Sequence, residues 1–179
     1  MNATVKVWDP LLRLFHWSLV TSFAVAWLSG NKVMSLHEWA GYAAAALVAF
    51  RLVYGLAGPT YARFGQFIRG PLATAAYTKD VISGRERRYV GHNPLGALMV
   101  VTLLVMMTAM AVTGWLMTTD AYWGVEWVEN LHGALANVML GLVVVHVAGV
   151  FVASLRHREN LVRAMITGRK RSPCADDIA

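Results

Sequence analysis

Four apolar segments dominate the chain, at residues 10–28, 36–57, 94–118 and 129–156. Coiled as helices at about 1.5 Å per residue, each is long enough to cross a hydrocarbon layer about 30 Å thick. Two of the polar connections, 31–35 and 119–130, are short and turn successive helices antiparallel. Asp9-Pro10 is a helix start, a carboxylate N-cap followed by proline at the first helical position, and Gly58-Pro59 ends the second span. The long polar stretch 60–93 contains a shorter pattern, 71–83 closed by Gly84, that predicts a helix lying at the membrane surface. The expected fold is all-α: an integral membrane four-helix up-and-down bundle over 1–168, with a mobile basic and polar tail over 169–179.

Composition agrees with a membrane protein. The chain is 57% hydrophobic and only 15% charged, too little polar surface for a soluble domain of 179 residues. A lone cysteine, Cys174, excludes a disulfide within the chain, and the absence of C-x-x-C-H excludes covalently attached haem. The net charge of +6 carries no nucleic-acid motif and follows topology instead. Basic residues fill 60–93 and follow the last span, while the two short connections hold only Lys32. The positive-inside rule then puts both termini and the central loop in the cytoplasm, as in a multi-pass protein of the bacterial inner membrane. A basic start and an apolar run without an A-x-A site predict an uncleaved first span.

Ionisable groups inside the spans are few. His132 and His146 are fourteen residues apart in the last one, nearly on one face and about 21 Å apart along the axis. His37 opens the second span at the outer level of His132, and His16 enters the first from the inner side, at the level of His146. Two pairs result, His37 with His132 and His16 with His146. Zinc, di-iron or a proton relay would need carboxylates beside these imidazoles, and the span interiors have none beyond Glu38 at one end. Two non-covalent b haems, each with two axial histidines, fit better. Gly133, Gly141 and Gly149 leave room beside the last helix for a flat group.

Arg51 shares a face with His37 and lies level with the inner pair; it binds a haem propionate or snorkels to cytoplasmic water. Arg13 has the same first choice beside His16, against an ordinary positive-inside role. His92 and His157 read as solvated histidines, with a border to a quinone head group as the other reading of His92. The connection 119–130 carries Asp120, Trp123, Glu126, Trp127 and Glu129, either interfacial anchors or a docking surface for a basic partner.

Val7-Trp8-Asp9-Pro10 leading into Leu14-Phe15-His16-Trp17, His37-Glu38-Trp39-Ala40-Gly41, Phe50-Arg51-Leu52, Gly91-His92-Asn93-Pro94, and His132 with His146 together resemble the prokaryotic cytochrome b561 family. That family includes the cytochrome b subunits of nickel-iron hydrogenases. The resemblance covers roughly 6–168. It implies a di-haem, quinone-linked electron carrier with these four histidines as ligands and Gly41 among the cofactor-binding positions. More weakly, it implies a periplasmic redox partner such as a small c-type cytochrome, a dehydrogenase or a hydrogenase, which would be a separate chain. A free-standing enzyme of the same fold, oxidising superoxide at the outer face and reducing quinone, is the alternative. The acidic connection disfavours it by repelling an anion.

Overall fold

The computed structural model describes residues 3–30 and 32–178; Asn31, in the first short connection, and Ala179, at the end of the tail, lie outside the described residues. The elements in order are β1 (Thr4–Lys6), α1 (Pro10–Ser29), α2 (Met34–Ala57), a 3-10 turn (Thr60–Ala62), α3 (Phe64–Phe67), α4 (Pro71–Ile82), α5 (Pro94–Leu116), α6 (Glu126–Arg156), α7 (Leu161–Thr167) and β2 (Arg169–Arg171). Four of these, α1, α2, α5 and α6, are long and apolar enough to cross a membrane. Their ends are set by short polar side chains. Asp9 Oδ1 accepts from the Leu12 amide at 3.0 Å, and Asn93 Oδ1 accepts from that of Gly96 at 2.7 Å just before Pro94. The last span starts three residues earlier than its hydropathy pattern predicts, at Glu126, because Val125 begins the turn that feeds it. Of its 31 residues only Val128 and Met139 are buried.

The chain divides into two compact units. One comprises Met1–Arg13, Val53–Val101 and His146–Ala179; the other comprises Leu14–Leu52 and Thr102–Val145.

The first unit is built on paired charge. Arg88 Nη2 and Nε donate to Glu159 at 2.8 and 3.2 Å, and Nη1 donates to Asp177 Oδ2 at 2.5 Å. Lys170, also buried, donates to the Val90 carbonyl at 2.9 Å and lies 3.6 Å from Glu159. Burial pushes the Glu159 carboxyl up, but hydrogen bonds from Arg88 and the Lys170 charge outweigh it and hold the group below its ordinary range. Phe67, Val90 and Ala62 are buried in the same unit.

The tail expected to be mobile is tied into this unit. β2 pairs antiparallel with β1, Thr4 opposite Arg171, and Tyr89 bridges to Ile178. Three-residue strands rich in cations carry no hydrophobic alternation, which is why the pattern concealed them. Gly168 makes the seam possible: at φ 79° its carbonyl accepts from the amides of Val7 and Trp8, and a Cβ there would lie 2.5 Å from the Trp8 oxygen. The stretch 60–93 is likewise more than a loop, since the 3-10 turn and α3 fold within it before α4. α6 ends in a Schellman turn, with Glu159 N–H donating to Ser154 O at 3.0 Å and Arg158 N–H to Leu155 O at 3.3 Å. Arg158 holds φ 49° there, a position that glycine ordinarily fills.

The second unit is mainly apolar helix surface. Ala40, Ala44 and Val48 form a small-residue stripe down α2, and Leu104 and Met107 are buried on α5. Phe15 packs on Phe50 with ring centres 6.3 Å apart. Its buried polar side chains, among the described residues, are Ser29, Arg51 and Thr113.

Candidate functional site

Within the second unit His37, near the start of α2, meets His132, two turns into α6. Their ring centres are 6.0 Å apart and their planes are nearly perpendicular, at 84°. Each ring is held by its Nδ1. That of His37 lies 2.8 Å from the Ala26 carbonyl, which can only accept, so Nδ1 carries the proton. That of His132 lies 2.9 Å from Thr113 Oγ1. The Thr113 hydroxyl proton is directed to the carbonyls of Ala109 and Met110, at 2.9 and 3.1 Å, so its oxygen accepts from His132. Both imidazoles are thereby fixed as the tautomer whose Nε2 keeps a lone pair, the arrangement that orients metal-ligating histidines. Glycines stand against both rings. A Cβ on Gly30 would come within 3.3 Å of His37 Nδ1, and one on Gly114 within 3.2 Å of His132 Cε1.

These features test whether haem suits the site. Metal–imidazole bonds are about 2.0–2.1 Å, so two of them occupy about 4 Å of the distance between the ring centres and leave the remainder for the half-widths of the rings. The 6.0 Å observed accommodates one iron. Among the described residues no group of three or more His, Cys, Asp or Glu side chains gathers to hold a bare metal ion. A pair of neutral imidazoles is instead a donor set that leaves the other positions to a porphyrin. Space beside α2 and α6 agrees, because a Cβ on Gly41, Gly133, Gly141 or Gly149 would touch nothing within 4 Å. The residues fit haem.

The other expected site residues are placed as follows. His16, on α1 in the second unit, is half-buried and edge-on to Trp17 at 5.1 Å. His146, on α6, is half-buried and falls in the first unit, so that pair rests on its depth along the helices alone. Arg51 is only 2% exposed, so its guanidinium does not snorkel to water. Arg13 donates through Nη1 to the Ile166 carbonyl near the end of α7. His92 is not the solvated side chain expected: its ring lies between Trp8 at 4.7 Å and Phe67 at 4.6 Å. Three residues escaped the sequence reading: Thr113, Gly30 and Gly114. The adjacent threonine and glycine at 113 and 114 of the third span were the available signal.

Residues 7–168 match the family model described as prokaryotic cytochrome b561. The chain belongs to that family. It is therefore a membrane b-type cytochrome, a haem protein of electron transport. Among curated proteins it is similar to a probable Ni/Fe-hydrogenase B-type cytochrome subunit of Cupriavidus necator, with 24% identity over 90% of this chain and 85% of the relative. Proteins of the same description in Azotobacter vinelandii and Azotobacter chroococcum are each 24% identical over 74% of this chain and 67% of theirs. No solved structure matches. In this b561 cytochrome His37 and His132 are anchored through Nδ1 and tautomerically fixed, as metal-ligating imidazoles ordinarily are.

Proposed function

We propose that this cytochrome passes electrons through two b haems between membrane quinone and a redox protein at the outer face of the bacterial inner membrane. His37 and His132 hold one haem, His16 and His146 the other. The observation that carries this reading is the facing His37–His132 pair with both Nδ1 atoms occupied. The fourteen-residue step from His132 to His146 supports a second site at another depth on α6. Bound haem supplies a one-electron iron couple. The chain does the rest. Ala26 and Thr113 hold the imidazoles in register, and the apolar faces of α2, α5 and α6 exclude water. Arg51 is a buried permanent cation suited to a propionate, Arg13 a lesser candidate through the donors not committed to Ile166, and Gly41 leaves its side of α2 open.

Both termini are assigned to the cytoplasm by the positive-inside pattern. The connection holding Asp120, Glu126 and Glu129 then faces outward, with all three carboxylates, Trp123 and Trp127 exposed. That surface attracts a basic protein and repels superoxide, so the partnered reading is preferred to the free-standing enzyme. The relatives' description as hydrogenase subunits supports a hydrogenase or similar dehydrogenase as the partner.

The test is spectroscopic. Purified protein is expected to carry two low-spin haems, with His37→Ala and His132→Ala erasing the same component and His16→Ala the other. Loss of one shared component in His37→Ala and His146→Ala would refute the pairing. Neutralising Glu126 and Glu129 together should slow reduction or oxidation by the partner at low salt without changing the spectrum; an unchanged rate would return the loop to membrane anchoring.

A further inference from the structure

Where α6 leaves its apolar run, the first unit opens a cleft of about 450 Å³ lined by Arg88, Arg156, His157, Arg158, Arg171 and Asp177. The charges are not balanced within it. Arg88 is committed to Glu159 and Asp177, and Arg156 uses Nη1 for Glu86 and the Val81 carbonyl, at 2.8 and 2.7 Å. Arg158 makes no side-chain hydrogen bond or ion pair among the described residues, although its backbone holds the left-handed conformation of the Schellman turn. An arginine kept where glycine is favoured is a strained choice, and such choices cluster at ligand clamps. Arg171 gives Nη1 to Cys174 Sγ at 3.2 Å, while its Nη2 reaches Asp177 only at 3.8 Å on a side chain that stays partly exposed. Two guanidinium groups therefore present donors to one cleft that its own carboxylates do not use. Planar guanidinium forks match phosphate oxygens.

We propose that this cleft binds the phosphate of an anionic membrane lipid. A lipid is favoured over free phosphate by what adjoins the cations. Phe151, Val152 and Leu155 are exposed on the last turns of α6, and Ile82 is exposed at the end of α4, so apolar surface for acyl chains continues from the polar cleft. Basic pockets beside membrane helices bind anionic head groups in this way.

Full-length haem-loaded protein in neutral detergent is titrated with short-chain phosphatidylglycerol, short-chain phosphatidylcholine and inorganic phosphate, following the shift in melting temperature. Phosphatidylglycerol should stabilise at concentrations where the other two do not. Arg158→Asn removes the cation while keeping a residue that tolerates positive φ, and Arg171→Gln removes the second. Each should weaken phosphatidylglycerol binding about fivefold, whereas Arg69→Gln, an equal charge loss outside the cleft, should not. Equal protection by inorganic phosphate would make this a free-anion site, and equal protection by phosphatidylcholine an apolar contact; either overturns the proposal. So would variants of Arg158 and Arg171 that match Arg69→Gln. If both variants lose their haem spectrum, the comparison of the three ligands on unaltered protein still decides.

Discussion

The two units treat buried polarity in opposite ways. In the first, Arg88, Glu159, Asp177 and Lys170 satisfy one another, and nothing beyond the chain is needed to neutralise them. In the second, Arg51 is the only buried charged side chain among the described residues, and the central polar groups are two imidazoles. Their Nδ1 atoms are engaged, which leaves the Nε2 lone pairs for the haem proposed to bind between them. A region whose buried charges pair internally folds on its own chain. On the proposed function, a region that ends in ligand lone pairs is completed by its cofactor.

That contrast can be broken most directly by withholding haem. In protein made under haem depletion, amide exchange around His37 and His132 should lose protection, while amides of the β1–β2 ladder keep theirs. Equal loss in both would mean that the first unit also depends on the cofactor. Next in size is Arg88→Leu, which strands two buried carboxylates. It should cost about 3–5 kcal/mol in unfolding of the first unit, read by denaturant melting of the ladder, with the haem spectrum unchanged. Thr113→Val keeps shape but removes the acceptor for His132 Nδ1. Haem affinity at that site should fall about 10–100-fold, with loss confined to the component that His37→Ala erases.

The spans were legible because hydropathy runs of that length have few other readings, and the cap at Asp9 was legible as local chemistry, whereas the equivalent Asn93-Pro94 start went unread. His37 and His132 could be matched by depth, since both enter from the same end of their helices. Thr113 could not, because a threonine inside a span bonds its own i−4 carbonyl wherever it sits, and only the facing helix reveals what the oxygen accepts. Arg88 is one of six basic residues in 60–93, and its distinction depends on Glu159 and Asp177, more than seventy positions away. Charge counting assigned it to topology; pairing makes it a keystone. The tail was misjudged for the same reason.

The smallest expected effect sharpens the comparison by acid. Asp177 is raised by burial but lowered further by the Cys174 amide and Arg88, and Glu159 is depressed likewise. Their folded values lie below the unfolded ones, about 3.9 for Asp and 4.3 for Glu, so their contribution is complete above those values and disappears as pH falls through the folded ones. A spin label on exposed Cys174 should stay immobile at pH 5 and loosen only below about pH 4. Loosening near pH 6 would implicate His157 instead of the carboxylates.

The β1–β2 ladder also sets an order of events. β1 leaves the ribosome ahead of all four spans, but its partner lies beyond them, at Arg169–Arg171. At roughly 5–20 residues per second, synthesis keeps Thr4–Lys6 waiting on the order of 10–30 s. During that interval every helix must enter the bilayer with the seam at Gly168 still unmade. The clasp can therefore fasten only after the chain has been translated past Arg171, so its closure comes after all four spans have been made.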